Sequence, residues 1–118
     1  MKKKEKEVNF EYLACPIRQV ISKFGDKWSL LVLYHIYKSE SGVMRFNELS
    51  RQMTDCSQKM LSQTLKNLEE HHLLHRKVYP VVPPKVEYSL TELGVSLMPC
   101  IEGLISWATE HFDSVVTK

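Results

Sequence analysis

The stretch from Asp55 to Arg76 constrains the fold most strongly, because it predicts a helix with two chemically different faces that runs into a strand. Asp55 and Ser57 are both good N-cap residues, since a side-chain oxygen can accept a free amide proton of the first helical turn. One face has apolar residues at helical spacing and is expected to be buried: Leu61, Leu65 and Leu68. The opposite face carries cations and hydrogen-bonding side chains: Lys59, Ser62, Gln63 and Lys66. Such a helix can pack one side on a core and place the other in a DNA major groove.

An ordinary solvated surface helix has this two-faced pattern more often than a DNA-reading helix does. The segment before the helix helps to distinguish the two. Residues 43–46 predict a short strand, and residues 47–53 predict a short helix. The apolar side of that helix consists of Phe46, Leu49 and Met53. Residues 54–56 then predict a tight turn. Two short helices joined by a tight turn, the second with a polar outer face, are the layout of a helix-turn-helix.

The residues after the helix predict a β-hairpin with a stiff tip. Residues 75–79 and 85–90 have strand patterns, and three residues of the second are expected on its buried face: Val86, Tyr88 and Leu90. The tip, residues 80–84, holds three prolines, which stiffen it and remove amide donors. Three cations lie at or near it: Arg76, Lys77 and Lys85. A stiff basic hairpin after a helix-turn-helix is the wing of a winged helix, so the predicted fold is mostly α-helical with a small β-wing (α+β).

Helices near both ends of the chain carry more apolar surface than a small domain needs. The first begins at Pro16, which suits the first helical position, and ends at Gly25. Its stripe consists of Ile17, Val20, Ile21 and Phe24. The last is capped by Thr91 and should bend at Pro99, because proline removes a backbone hydrogen bond. Its stripe consists of Leu93, Leu97, Ile101, Leu104, Ile105, Ala108 and Phe112, with Trp107 beside it. We therefore expect these N- and C-terminal helices to pack against a second copy in a homodimer.

The second helix is predicted to form the centre of the core. Asp26 can cap it, and it extends from Lys27 to about Tyr37 with apolar residues over most of its circumference. The chain of 118 residues suffices for one domain. We expect a flexible charged tail at residues 1–12, the winged-helix DNA-binding domain at residues 13–113 and a C-terminal tail at residues 114–118.

The charge distribution favours nucleic acid more than the net charge of +2 does. Between Arg45 and Lys85 there are seven Lys or Arg residues against four acids, whereas the residues from Val86 onward include five acids and one Lys. A basic middle beside an acidic C-terminal segment suggests that one part of the domain faces phosphates.

Composition also predicts the compartment. No apolar run is long enough to cross a membrane, and the lysine-rich start lacks the apolar stretch of a secretory signal. The three cysteines are widely spaced without a Cys-x-x-Cys pair, which argues against a disulfide framework and a zinc finger. We therefore expect a cytoplasmic protein.

Short motifs over residues 15–112 match one known family. They are Cys15-Pro16, residues 25–28 (Gly-Asp-Lys-Trp), 45–49 (Arg-Phe-Asn-Glu-Leu), 57–61 (Ser-Gln-Lys-Met-Leu), 78–84 with their prolines, 86–94 (Val-Glu-Tyr-Ser-Leu-Thr-Glu-Leu-Gly), and Trp107. By these motifs the chain resembles the HxlR-type winged helix-turn-helix transcriptional regulators, a bacterial, MarR-like family. It departs from the family where a glycine usually precedes the wing, and we expect His72 to take that left-handed position.

The resemblance implies a homodimer that binds a palindromic DNA operator and represses or activates nearby genes, and we predict repression. The residues expected in the major groove are Lys59, Ser62, Gln63 and Lys66, with Gln63 suited to adenine. Gln58 and Asn47 are expected to bind the DNA backbone near the turn. The wing cations are expected on phosphates or in the minor groove: Arg76, Lys77 and Lys85. No cofactor and no metal are expected, and a small-molecule or electrophile effector is an implied partner.

Some relatives in this family sense oxidants or electrophiles through a cysteine near the N-terminus, a position that Cys15 matches. A thiol at a helix N-terminus is favoured as the reactive thiolate, and Arg18 lies one turn away. The alternative is an inert cysteine at a helix start. For Cys56 and Cys100 we predict buried packing.

Three other functions have weaker support in the sequence. His71, His72 and His75 have spacing that suits a metal site on one helix face, but their segment is leaving its helix, so surface or interface histidines are favoured. An enzyme is not expected, because the sequence has no phosphate loop, nucleophile elbow or zinc-protease motif. The main alternative is a winged-helix module for protein–protein contact without specific DNA binding.

Overall fold

The computed structural model describes Glu11 and residues 14–116, which form five helices and a three-stranded antiparallel sheet. The elements are α1 (Pro16–Phe24), α2 (Ser29–Lys38), β1 (Val43–Met44), α3 (Phe46–Gln52), α4 (Gln58–Glu70), β2 (Leu74–Tyr79), β3 (Lys85–Leu90) and α5 (Glu92–Val116). The predicted winged-helix fold, mostly α with a small β-wing, is confirmed. Except for Glu11, the tail predicted at residues 1–12 lies outside the described residues. None of the helices in the described part has the length and apolar character that a bilayer span requires.

Helix α2 is the centre of the core, as predicted. Val32, Leu33 and Ile36 are fully buried in it, and α2 packs against α3, α4, α5 and the sheet. It begins at Ser29, two residues later than predicted, and Asp26 still caps its start, since Asp26 Oδ2 accepts the backbone N–H groups of Trp28 and Ser29, both at 3.1 Å. Two apolar residues of α2, Leu31 and Tyr37, are exposed, so its apolar circumference is not buried throughout.

The helix-turn-helix consists of α3, the turn at residues 53–57 and α4. Leu49 and Met53 are buried on the inner side of α3, and Phe46 packs against the same cluster. The inner stripe of α4 is buried as predicted. Cys56 is also buried in the turn, which confirms its packing role.

The sheet has the strand order β1-β3-β2, so β3 is its central strand. Tyr88 and Leu90 pack against the core, as predicted. Val86 is only half-buried. It is opposite Val78 in the β2–β3 register, and Val78 is itself exposed because this end of the hairpin extends past the core. The residues of β3 are half-buried along its whole length, so the predicted alternation does not appear in exposure.

One hydroxyl joins the exit of α4, the end of the wing and the start of α5. His72 has a positive φ of 64°, as predicted for the position of the usual glycine. Thr91 Oγ1 donates to the carbonyl oxygen of His72 at 2.7 Å and accepts the N–H of Gly94 at 3.0 Å as the N-cap of α5. The backbone N–H of Thr91 also donates to Leu73 O at 3.1 Å.

The predicted stripe of α5 divides into two parts. Met98 and Ile101 are buried, with Leu97 and Ile105 packed beside them, and Met98 was missing from the prediction. The other members remain exposed: Leu93, Leu104, Ala108 and Phe112. Trp107 is 52% exposed.

The end of α5 also differs from the prediction. The residue of α5 with non-helical dihedrals is His111 (φ −110°, ψ 15°), and the bend that we expect at Pro99 stays a prediction. The helix continues through Val116 and thus includes three residues of the predicted C-terminal tail, because residues 112–116 contain neither glycine nor proline to end it.

Candidate nucleic-acid interface

The outer face of α4 is held in place by its buried face and its first turn. The Ser57 hydroxyl accepts the N–H of Met60 at 3.0 Å, which fixes the N-terminus of the helix. The residues predicted to enter the major groove are all exposed: Lys59, Ser62, Gln63 and Lys66. Two cations and two hydrogen-bonding side chains therefore project from a rigid helix, as a DNA-reading surface requires.

Asn47 and Gln58 lie exposed in the first turns of α3 and α4. Asn47 lines a shallow depression together with Arg45, Glu48 and Arg51, so two cations that were not predicted as site residues lie there beside one acid. Arg51 is four residues from Asn47, so helical spacing contained the signal. The structure thus adds positive charge beside the predicted backbone contact.

An open groove of about 520 Å³ separates α4 from the junction of α1 and α2. Gln63 and Lys66 form one wall, and Lys23 lies on the other. The side chain of Asn67 donates to the backbone oxygen of Lys23 at 3.2 Å and so fixes the end of α1 beside α4. Lys23 is a further cation near the outer face of α4. Its contact with Asn67 joins residues 44 positions apart in the sequence, so no local pattern could have predicted it.

The wing cations do not form one patch. In the β2–β3 register, Lys77 is opposite Glu87 and Tyr79 is opposite Lys85, while Arg76 is opposite Tyr88. Because successive strand residues point to opposite faces, Lys77 and Lys85 share the outer face and Arg76 lies on the core side. The predicted group of three cations is therefore divided between two faces.

The outer face of the wing holds a connected cluster. The Tyr79 hydroxyl donates to Glu87 Oε1 at 2.9 Å, and Lys85 Nζ is 3.2 Å from Glu87 Oε2. The ammonium groups of Lys77 and Lys85 lie 4.9 and 5.0 Å from the centre of the Tyr79 ring. The hydrogen bond from Tyr79, followed by that from Lys85, holds the pKa of Glu87 below its ordinary value, so this carboxylate is ionised at neutral pH.

A family model described as an HxlR-like helix-turn-helix matches residues 23–115. The chain belongs to the HxlR-like helix-turn-helix family.

Relatives in sequence and structure are regulators as well. A helix-turn-helix transcriptional regulator from Methanothermobacter thermautotrophicus is 42% identical over 97 residues, which are 82% of this chain and 71% of the relative. The regulator YtfH of Escherichia coli is 38% identical over 111 residues, 94% of this chain and 86% of YtfH. The solved structure of the redox regulator HypR in its reduced form has a TM-score of 0.79 at 37% identity, covering 87% of this chain and 99% of HypR.

This HxlR-like chain is therefore a transcriptional regulator of the helix-turn-helix type. The family and these relatives are regulators of transcription, not enzymes. The relatives include an archaeal protein, so our description of the family as bacterial was too narrow.

The cysteines of this HxlR-like chain have different surroundings. Cys15 is the N-cap of α1 and is fully buried, so its thiol lies at the positive end of the helix dipole but away from solvent. Burial, followed by the charges of Asp55 and Asp26, raises the pKa of the Cys56 thiol and makes it less reactive. Cys100 is exposed, so the prediction of burial was wrong, because Cys100 lies outside the part of α5 that packs on the core.

Of the three histidines near the end of α4, His71 has a structural role. His71 Nδ1 is 2.9 Å from the carbonyl oxygen of Asn67, and its ring meets that of Phe24 edge-on at 5.5 Å. Within Glu11 and residues 14–116, no group of three or more metal-ligating side chains comes together. His71 therefore helps to join α1 to α4 in this HxlR-like fold.

Proposed function

We propose that the protein is a repressor that binds a palindromic operator as a homodimer through α4 and the wing. The observation that carries this proposal is the exposed polar face of α4 above a fully buried apolar face. A module for protein docking would expose aromatic or aliphatic side chains on such a face, whereas here only Met60, at its flank, is exposed among the apolar residues of α4.

Each group of side chains has a role that its chemistry supports. Lys59 and Lys66 bind phosphates, while Gln63 and Ser62 exchange hydrogen bonds with base edges. Gln58 and Asn47 bind the backbone beside the turn, where Arg45 and Arg51 add charge. The wing residues Arg76, Lys77 and Lys85 bind flanking phosphates or the minor groove.

The homodimer is supported by unpartnered apolar surface on the two helices that we predicted to pair. In the described chain α1 buries none of its own residues, and Ile17 and Ile21 are 57% and 58% exposed. Leu104 and Trp107 of α5 are likewise more than half exposed. Apolar surface of this extent marks a protein contact. Such a dimer sets two α4 helices roughly 34–36 Å apart, one turn of DNA.

Substitutions on α4 should separate base reading from phosphate binding. Gln63→Ala is expected to weaken operator binding about tenfold to a hundredfold per half-site and leave binding to scrambled DNA unchanged, since a bidentate base contact contributes roughly 1–3 kcal/mol. Lys59→Ala is expected to weaken binding to both duplexes and to reduce the salt slope of log K by about 0.9 for each phosphate that is no longer neutralised. Fluorescence anisotropy at several salt concentrations, with DNA from the protein's own promoter region, measures both effects.

Lys38→Ala is the matched control, because it removes the same charge at the end of α2, where Lys38 pairs with Glu102 at 3.3 Å. It should leave DNA binding unchanged. Equal wild-type affinity for operator and scrambled DNA would favour the protein-docking module. Lower expression of a reporter from the same promoter when the gene is deleted would contradict repression.

We further propose that Cys15 makes this regulator responsive to oxidants or electrophiles. Its place at the N-terminus of α1 and the likeness to a redox regulator support this. Because Cys15 is buried, it reacts through local opening and therefore more slowly than the exposed Cys100. Quinone treatment is expected to weaken operator binding of the wild type and of Cys100→Ser, but not of Cys15→Ser. Equal loss in Cys15→Ser would assign the response to another group.

A further inference from the structure

The outer face of the wing presents donors that bind anions, and one internal carboxylate already occupies them. Glu87 uses one oxygen for the Tyr79 hydroxyl at 2.9 Å and the other for Lys85 Nζ at 3.2 Å. Lys77 lies opposite Glu87 in the strand register and over the same Tyr79 ring. The carboxylate therefore contacts one ammonium group and one hydroxyl, and a second ammonium group lies on the same face over the Tyr79 ring.

The same three donors are of the kinds that proteins use for DNA phosphates: lysine ammonium groups and tyrosine or serine hydroxyls. A carboxylate and a phosphate compete for them, because both present anionic oxygens that accept charge-assisted hydrogen bonds. Two cations and one ionised carboxylate leave this face with a net charge of +1 where the lysines alone would give +2.

We infer that Glu87 occupies the phosphate position of the wing and is a specificity-determining residue, which lowers the affinity for DNA of arbitrary sequence. The inference rests on the proposed operator binding. Sequence-independent affinity depends on the number of cations free to replace counterions, and Glu87 removes about one of them per wing.

The cost to operator binding is smaller because the lysines stay positioned when a phosphate displaces Glu87. Lys77 and Lys85 both lie over the Tyr79 ring, and holding a long side chain in advance reduces the rotamer entropy lost on binding. Attraction to DNA of arbitrary sequence does not require the lysine side chains to be held in one conformation. Docking on the operator does require it, because α4 sets the wing in a single position on the DNA. Glu87 therefore raises the ratio of operator to non-operator affinity.

Glu87→Gln tests this directly, because glutamine keeps the size and the acceptor for Tyr79 but removes the charge. On a scrambled duplex we expect the salt slope of log K to steepen by about 0.9 per engaged wing and the affinity at about 0.1 M salt to rise on the order of tenfold for each. On the operator the gain should be smaller, so the specificity ratio falls. Glu87→Thr, a good strand residue without charge, gives the same comparison if the glutamine variant is unstable.

Two variants serve as controls. Glu110→Gln removes the same charge from an exposed position of α5 and should leave both slopes unchanged. Tyr79→Phe removes the hydroxyl but keeps the ring and all charges, so its slope should match the wild type. A scrambled-duplex slope of Glu87→Gln equal to that of the wild type, or a steepening in Tyr79→Phe as large as in Glu87→Gln, would overturn the inference. Equal wild-type affinity for both duplexes would instead refute operator binding, and the slope on scrambled DNA would still decide whether Glu87 occupies the phosphate position.

Discussion

Gly94→Ala should lower the Tm by on the order of 10 °C, a large effect for the addition of a single methyl group. Gly94 is buried in the first turn of α5, and a Cβ there would overlap the backbone oxygen of Leu73 and lie 3.3 Å from Leu90 Cβ. Backbone cannot move aside as the end of a flexible side chain can, so we expect a loss of roughly 3 kcal/mol in the free energy of unfolding. Thermal and urea unfolding followed by circular dichroism measure it.

Gly103→Ala is the matched control in the same helix. A Cβ at Gly103 meets nothing within 4 Å, so alanine adds helix propensity without a clash. We expect the free energy of unfolding to rise by up to about 1 kcal/mol. If both variants changed stability in the same direction, the close approach of Gly94 to Leu73 would not be the cause.

Leu104→Glu should convert the proposed dimer to monomers and abolish tight operator binding. Leu104 is 54% exposed in the subunit, so the change does not disturb the core, but it would place a charge inside a dimer contact. A two-fold axis repeats each substitution, and two losses of about 2 kcal/mol raise the dimer dissociation constant on the order of a thousandfold. Analytical ultracentrifugation across a concentration series gives this constant.

Ser106→Glu adds the same carboxylate to an exposed position on a different face of α5 and should leave the dimer intact. If Leu104→Glu dimerised with the same affinity as the wild type, the contact between subunits would lie elsewhere, for example on α1 alone. A monomer that retained operator affinity would contradict the need for two half-sites.

The elements of this fold could be predicted because local signals decide them. Ser57 and Thr91 are caps whose hydrogen bonds span three residues, and the stripe of α4 follows from helical spacing alone. His72 was predictable only through the resemblance to the HxlR family, which has a glycine at this left-handed position. For the caps and the stripe, a few consecutive residues contain the physical cause.

Features that depend on contacts between distant segments could not be predicted in this way. The exposure of Cys100 depends on which side of a largely apolar helix meets the core. The Glu87 cluster depends on the register between β2 and β3, and Lys23 reaches the interface through Asn67, 44 residues away. The division of Arg76 from Lys77, in contrast, was implicit in the sequence, because neighbours on a strand point to opposite faces.

The Thr91 hydroxyl has a consequence for how regulators of this shape can diversify. Because it binds both His72 and Gly94, this hydroxyl joins the end of α4, the wing and α5 directly. In the dimer that we propose, the spacing of the two half-sites is then expected to follow from where the α5 helices meet, and the base sequence from the outer face of α4. We therefore expect substitutions at Leu104 or Trp107 to act on operator spacing, and substitutions at Gln63 to act on operator sequence.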